Sequence, residues 1–351
     1  MPASGLNIVA IGGGTGLSTL LRGLKTYVGA DGGWSIGALG AIVTVTDEGG
    51  SSGVLRKEFG MLPPGDIRNC IVALAEEEQL LSQLFNYRFD TDSALKGHSL
   101  GNLLLTAMTD ITGSFDNAVL AASEVLAIRG EIYPSTLSDV RLRATLDDGT
   151  TVVGEVAISG SHIGEEPPNR VRHARITRLE LEPPDVQPTP GACDALAAAD
   201  LILIGPGSLY TSVLPNLAIG PLAEALRKAR ALRVYICNVM TQPNETDGYS
   251  AQDHLRAIVE HAGLVVDVMV LNGRRPSESI LEMYAAENQA PVQFDLDEIR
   301  ALGVTPFFGD IIAEANFVRH DPAALAQTIF QLYDRYGRAL ERMRKASHDE
   351  L

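Results

Sequence analysis

The run Asn7–Ile11 leads without a break into Gly12-Gly13-Gly14-Thr15-Gly16, after which Leu17, Leu20, Leu21 and Leu24 recur at helical spacing. A strand that enters a helix through glycines is the opening unit of a parallel sheet, since a tight strand-to-helix turn tolerates few side chains. Such a loop also points backbone N–H groups out of the positive end of a helix dipole, where a phosphate meets no side-chain obstruction. The same glycines equally suit a turn that binds nothing. Leu17 stands where the dinucleotide fingerprint G-x-G-x-x-G has its last glycine, and no Walker lysine follows Gly16, so neither device is present.

The alternation continues along the chain. Gly40–Asp47 reads as a second buried strand, and residues 66–128 as helical, including Ile67–Leu81 and Leu100–Met108. Residues 129–181 change character: Val140, Leu142, Ala144 and Leu146 alternate with polar residues, Asp148-Gly149 supplies a turn, and Thr151–Ile158 alternates again. This predicts a small β-rich insertion over 129–187, dividing a core that spans 1–128 and 188–351. Four prolines, Pro183, Pro184, Pro188 and Pro190, predict an extended return to the core. Strands are then expected at Leu201–Ile204, Arg233–Cys237 and Leu264–Leu271, helices at Pro221–Ala231 and Gln252–Ala262, and a closing amphipathic helix at Pro322–Arg338. Apolar strands separated by helices give an α/β fold whose mostly parallel sheet is covered on both faces.

A net charge of -16 excludes a general nucleic-acid surface and requires any anionic ligand to be held by local devices. Three scattered cysteines offer neither a disulfide framework nor a zinc cluster. No apolar run reaches the length of a membrane span and no leader-like segment opens the chain, so the expected location is the cytoplasm.

Further candidate sites follow strand ends. Asp47-Glu48-Gly49-Gly50-Ser51-Ser52-Gly53 reads as an acidic, small-residue loop: Asp47 suits a ribose hydroxyl or a hydrated Mg²⁺, and Arg56 supplies positive charge nearby. The competing view is a flexible acidic turn. Asp66 has the position of a helix N-cap, with Arg68 in reach of the same anion, and His98-Ser99-Leu100-Gly101-Asn102 either caps a helix or lines a pocket wall. Gly205-Pro206-Gly207-Ser208-Leu209-Tyr210-Thr211-Ser212 repeats the design of the first loop. Asn238, Thr241 and Gln242 follow the next strand with uncharged groups that suit a sugar or a base edge. The remaining histidines read as structural, and His162 and His173 with Arg170, Arg172 and Arg175 as a solvated basic face.

Taken in order, Gly12–Gly16, Asp47–Gly53, His98–Leu104, Gly205–Ser212, Asn238–Thr246 and Arg319-His320-Asp321-Pro322 resemble the gluconeogenesis-factor (YvcK-like) family, relatives of 2-phospho-L-lactate transferase (CofD). The resemblance spans nearly the whole chain. It implies a Rossmann-like three-layer core with a small β-rich inserted subdomain, a homodimer, and binding of UDP-sugars in carbon metabolism and cell-envelope maintenance. By motif it carries over Gly13–Gly16 and Gly205–Thr211 as phosphate loops and Asp47 as the acid nearest the ligand; together with the strand-end readings above, the expected ligand residues are Gly13, Gly14, Thr15, Gly16, Asp47, Gly50, Ser51, Ser52, Arg56, Asn102, Gly205, Gly207, Ser208, Leu209, Tyr210, Thr211, Asn238, Thr241 and Gln242. The transferase branch implies instead a Mg²⁺-dependent enzyme of coenzyme F420 synthesis; Asp47, beside Glu48 and a phosphate loop, is the candidate metal ligand and candidate catalytic residue. Two positions depart from the family pattern: Glu48 replaces a usual aspartate, and Val54 an arginine.

Overall fold

The computed structural model describes residues 5–348 except 32, 77, 91, 161–173 and 316; of the basic cluster, His162, Arg170, Arg172 and His173 lie outside them, while the Arg175 guanidinium lies 5.4 Å from the Tyr249 ring centroid. Its strands are β1 (Leu6–Gly12), β2 (Ile36–Val43), β3 (Glu131–Pro134), β4 (Arg141–Leu146), β5 (Thr151–Val153), β6 (Ile176–Glu182), β7 (Leu201–Ile204), β8 (Leu232–Ile236), β9 (Val268–Asn272), β10 (Thr305–Gly309), β11 (Ile312–Glu314) and β12 (Val318–His320). The first seven helices are α1 (Gly14–Leu24), α2 (Gly50–Phe59), α3 (Gly65–Leu74), α4 (Glu78–Asn86), α5 (Leu100–Thr112), α6 (Phe115–Val125) and α7 (Glu155–Ser159). The rest are α8 (Pro190–Ala198), α9 (Leu214–Leu217), α10 (Gly220–Lys228), α11 (Ala251–Ala262), α12 (Glu278–Ala286), α13 (Leu296–Ala301) and α14 (Pro322–His348).

The main sheet has the order β10-β9-β8-β7-β1-β2-β3, every pairing parallel. Its direction of growth reverses between β1 and β7, because β2 follows β1 on one side while β8 follows β7 on the other. That reversal opens a crevice beyond the carboxyl ends of the two strands, the place where open α/β sheets bind ligands. All four residues of β7 are buried, as a central parallel strand requires. On one face α1 packs against α3 and α14; α8 with α10, and α9 with α11, form a separate group. The result is the α/β fold with helices flanking a parallel sheet.

A three-stranded antiparallel sheet, β5-β4-β6, stands apart from this core, and its β4–β5 turn is the expected Asp148-Gly149. Several expected boundaries shift. The strand expected at Gly40–Asp47 is Ile36–Val43, which leaves Asp47 beyond its end. Glu131–Pro134 pairs with β2 and belongs to the main sheet. Only Thr151–Val153 of the expected second hairpin strand is extended, since Gly154 at φ 98° turns the chain into α7. The supposed Gly/Ser loop is helical from Gly50, so Ser51, Ser52 and Gly53 are its first turn. Glycine and serine are poor helix interiors but acceptable in a first turn, where unpaired N–H groups reach solvent or a side chain. The long helix expected at Ile67–Leu81 ends at Leu74, and β10, β11 and β12 carry no strong alternation.

The fit of α1 against α14 depends on Gly23, where a Cβ would lie 2.0 Å from the Pro322 carbonyl oxygen. Replacement Gly23→Val should force the helices apart and cost about 1–3 kcal/mol. Urea denaturation against the wild type checks this, and an unchanged midpoint would show that the contact yields freely.

Candidate functional site

A cavity of about 420 Å³ fills the crevice at the sheet's reversal point. The glycine loop after β1 forms one wall. Gly13 is extended (φ -169°) and precedes α1, whose first amides lack acceptors within the helix. The loop after β7 forms the opposite wall, so close that a Cβ on Gly16 would sit 2.3 Å from the Pro206 carbonyl oxygen. Only glycine permits that approach.

The segment after β8 closes the third side. Asn238 Nδ2 donates to the Gly207 carbonyl (2.9 Å) and its Oδ1 accepts from Gly207 N–H (3.3 Å), tying two strand ends together. Gln242 Nε2 donates to Ser208 Oγ at 2.8 Å. Glu245 accepts from Tyr210 N–H (3.2 Å) and from Thr211 Oγ1 (3.3 Å), which fixes the second loop from behind. The β11–β12 hairpin supplies the roof: Arg319 and His320 line the cavity, as does Tyr284 of α12, whose hydroxyl donates to the Val318 carbonyl (3.3 Å) and accepts from Val318 N–H (3.2 Å).

Among the sequence-derived candidates, Gly13, Gly14, Thr15, Gly16, Gly207, Ser208, Thr211, Asn238, Thr241 and Gln242 line the cavity. Asp47, Ser52 and Asn102 form an adjoining polar cluster: a Cβ on Gly65 would lie 2.1 Å from Asp47 Oδ2 and 2.7 Å from Ser52 Oγ, and Asn102 Nδ2 reaches Ser52 at 3.3 Å. Ser51 Oγ pairs with His98 Nδ1 at 3.0 Å, and Gly50 is exposed at the start of α2. Gly205, Leu209 and Tyr210 do not face the cavity; the Tyr210 hydroxyl turns to Ile176 and Tyr249, anchoring the small sheet.

Arg56 is also redirected. Its guanidinium bonds the Val140 carbonyl (2.7 Å), Asp139 (2.5 Å) and Glu48 (3.6 Å), so it fastens α2 to the start of β4 instead of turning to the cavity. Glu48 is thereby committed to Arg56 and Arg141. Val54 is exposed on α2. Asp66 is not an N-cap, a place held by Pro64; its carboxylate takes the Gly14 N–H instead. Arg68 turns to Ser99 Oγ (2.8 Å) and Asn69 Oδ1 (2.8 Å). His254 and His261 are structural: His261 Nε2 accepts from Leu179 N–H (2.9 Å) while Nδ1 meets the Ala257 carbonyl (2.6 Å).

Carboxylates dominate the electrostatics. Burial first, and then the charge of Asp47, push Asp66 up to about 7, against the opposing Gly14 N–H and Arg68. Glu155, which lines the cavity from α7 and accepts the Glu48 N–H at 3.1 Å, is raised well above the carboxylate range by burial and by Asp47 and Asp66. Arg319 is the cation that faces this cavity, and it makes no ion pair among the described residues. Burial holds His320 down at about 4, so its ring is neutral, and its Nε2 lacks a hydrogen-bond partner. Glu155, Asp66, Tyr284, Gln289, Arg319 and His320 escaped the sequence reading of the site. Gly154 before Glu155 and the Arg319-His320-Asp321-Pro322 run were the visible signals, but neither follows a strand of the main sheet.

A parallel sheet with two glycine loops facing one crevice at its point of reversal defines an α/β protein of the Rossmann-like class. Residues 8–312 match the family described as 2-phospho-L-lactate transferase CofD. The chain is 47% identical to a putative gluconeogenesis factor of Nostoc sp. over 94% of its length and 69% of that protein's, and 46% identical to one from Aquifex aeolicus, covering 94% and 97%. A gluconeogenesis factor of Bacillus subtilis is 44% identical, covering 93% and 97%. The crystal structure of a UPF0052-family protein from Bacillus halodurans superposes with a TM-score of 0.85 at 44% identity, covering 93% of this chain and 99% of that one. The chain belongs to the gluconeogenesis-factor family of CofD-like proteins.

Asp66 gives a pH prediction. The folded chain keeps its proton to about pH 7, whereas an ordinary aspartate releases it near 3.8, so between those values the folded state binds more protons than the unfolded. Stability therefore falls as pH rises through that window, by at most about 4 kcal/mol. Asp66→Asn should lose less stability than the wild type between pH 5 and 8 in thermal melts. Parallel slopes would show that Asp66 is not the group responsible.

Proposed function

We propose that this chain binds a nucleotide-sugar of the UDP-sugar type, with the diphosphate between the Gly13–Gly16 and Gly207–Ser208 loops. The observation that carries the reading is the glycine-only contact of Gly16 with Pro206 and Gly207, which turns two strand-end backbones toward one cavity. Its volume of about 420 Å³ suits a small organic ligand. In a chain of net charge -16, Arg319 supplies the local positive charge, and Asn238, Thr241 and Gln242 offer uncharged partners to sugar hydroxyls. The biological role that fits family and ligand is regulation of carbon metabolism and cell-envelope maintenance from the cytoplasm, by a homodimer. No helix among the described residues is long and apolar enough to cross a membrane.

A second reading, a Mg²⁺-dependent transferase of the 2-phospho-L-lactate type, draws on the carboxylates Asp47, Asp66 and Glu155 beside the phosphate loop. Among the described residues no three His, Cys, Asp or Glu side chains form a metal cage. Mg²⁺ is commonly held by one or two carboxylates together with substrate phosphates and water, so the donor set fits it. Asp47 and Asp66 would hold the ion. Once bound, it would offset the charge of the transferring group. Glu155, with its raised affinity for a proton, would present a neutral carboxyl as donor to a phosphate oxygen.

Calorimetry with UDP-N-acetylglucosamine is the direct test, and no heat with any UDP-sugar removes the first reading. Arg319→Ala should weaken binding about 10- to 100-fold, the range for losing a charge-assisted bond. Gly14 sits at φ 61°, so Gly14→Val should abolish binding while far-ultraviolet circular dichroism stays that of the wild type. Incubation with activated phospholactate, deazaflavin and Mg²⁺ that yields no product by mass spectrometry removes the transferase reading.

A further inference from the structure

Beyond the Asn238–Val239 wall of the first cavity lies a second, of about 500 Å³, between the ends of β8 and β9 and helix α12. The wall is a short paired ribbon: Val292 N–H donates to the Val239 carbonyl (2.9 Å), Thr241 N–H to that of Ala290 (2.8 Å), and Ala290 N–H to Thr241 Oγ1 (2.9 Å). Asn238, Val239 and Gln289 face both cavities, which therefore adjoin.

The two spaces differ in chemistry. Glycines, hydroxyls and Arg319 line the first, whereas Leu271, Leu281, Ala285, Val292 and Phe294 wall the second. Its arginines are already engaged, Arg274 with Asp310 (3.0 Å) and Arg275 with Glu278 (2.9 Å), which disfavours a phosphate there. A sugar would set hydroxyls against aliphatic carbon and lose hydrogen bonds to water. A planar heterocycle buries its faces against such walls and keeps its polar edge for an amide. Gln289, half-buried, makes no side-chain hydrogen bond among the described residues and can offer both a donor and an acceptor. Phe294 lines the cavity and Phe308 tilts against it, ring centroids 5.3 Å apart and planes at 59°, with 43% and 42% of their surface exposed, aromatic area that a base would cover.

We propose that this second cavity is a nucleobase subsite, holding the ring of a nucleotide whose phosphates lie on the Gly13–Gly16 and Gly207–Ser208 loops. The assignment rests on the nucleotide reading above and adds the place and chemistry of base recognition. Ring-filling and ring-sensing variants test it on the full-length protein. Ala285 is exposed on α12, so Ala285→Trp fills the groove without disturbing the core. UDP, GDP and inorganic pyrophosphate serve as calorimetric probes. Ala285→Trp should weaken the better-bound nucleotide by on the order of tenfold or more, the worth of one base stack, and leave pyrophosphate unchanged. Trp34 is the chain's one tryptophan, so Phe294→Trp adds a reporter on the cavity wall. Its added fluorescence should be quenched by the nucleotide along the calorimetric isotherm and not by pyrophosphate. Wild-type binding of pyrophosphate without either nucleotide, or of no probe at all, overturns the nucleotide reading and this subsite with it. Nucleotide binding that survives Ala285→Trp unchanged and leaves Phe294→Trp unquenched overturns the subsite alone.

Discussion

Two stretches of backbone, Gly13–Gly16 and Pro206-Gly207, touch with no side chain between them, and the site is arranged around that contact. Because Gly16 leaves the space that a Cβ would fill, the ends of β1 and β7 come close enough for their loops to share one cavity. The reversal of strand order supplies the crevice, and the glycines let the backbone line it. Asn238 then extends the contact to β8 through paired bonds with Gly207. Three consecutive neighbours in the sheet thus contribute to one site.

This packing has an electrostatic cost. Drawing α3 under the first loop sets Asp66 against Gly14 and near Asp47, while the small sheet brings Glu155 over the same space. Burial and the neighbouring carboxylate charge raise the proton affinity of Asp66 and Glu155, so the pocket resists full ionisation. A bound cation, retained protons or the Arg319 guanidinium each relieve that repulsion.

Legibility from sequence followed locality. The loops after β1 and β7 were readable because strand, glycines and helix lie within some fifteen residues and each leaves its own periodic trace. Asn238, Thr241 and Gln242 were readable for the same reason, as polar groups just past an apolar run. Arg56 was misread because proximity in sequence to an acidic loop gives no direction for its side chain, which Asp139 and the Val140 carbonyl capture from another element. Tyr210, like Gly205 and Leu209, was drawn in by a motif of which Pro206, Gly207, Ser208, Thr211 and Ser212 line the cavity. Asp66 had a sufficient local explanation as a helix cap, which concealed its long-range bond to the Gly14 amide.

The sequence alone determined the α/β class, the parallel sheet, the antiparallel turn at Asp148-Gly149 and the glycine loops, because each follows from short-range periodicity and from the steric freedom of glycine. Tertiary structure decided which strands became neighbours, that Glu131–Pro134 joins the main sheet, and which residues from α7, α12 and the β11–β12 hairpin close the site. Those residues lie from about 140 to more than 300 positions away from Gly14 in the chain. No local pattern records a contact of that separation: it is set by the packing of whole elements, and only the folded chain brings Glu155, Tyr284 and Arg319 to the loop where the sequence begins.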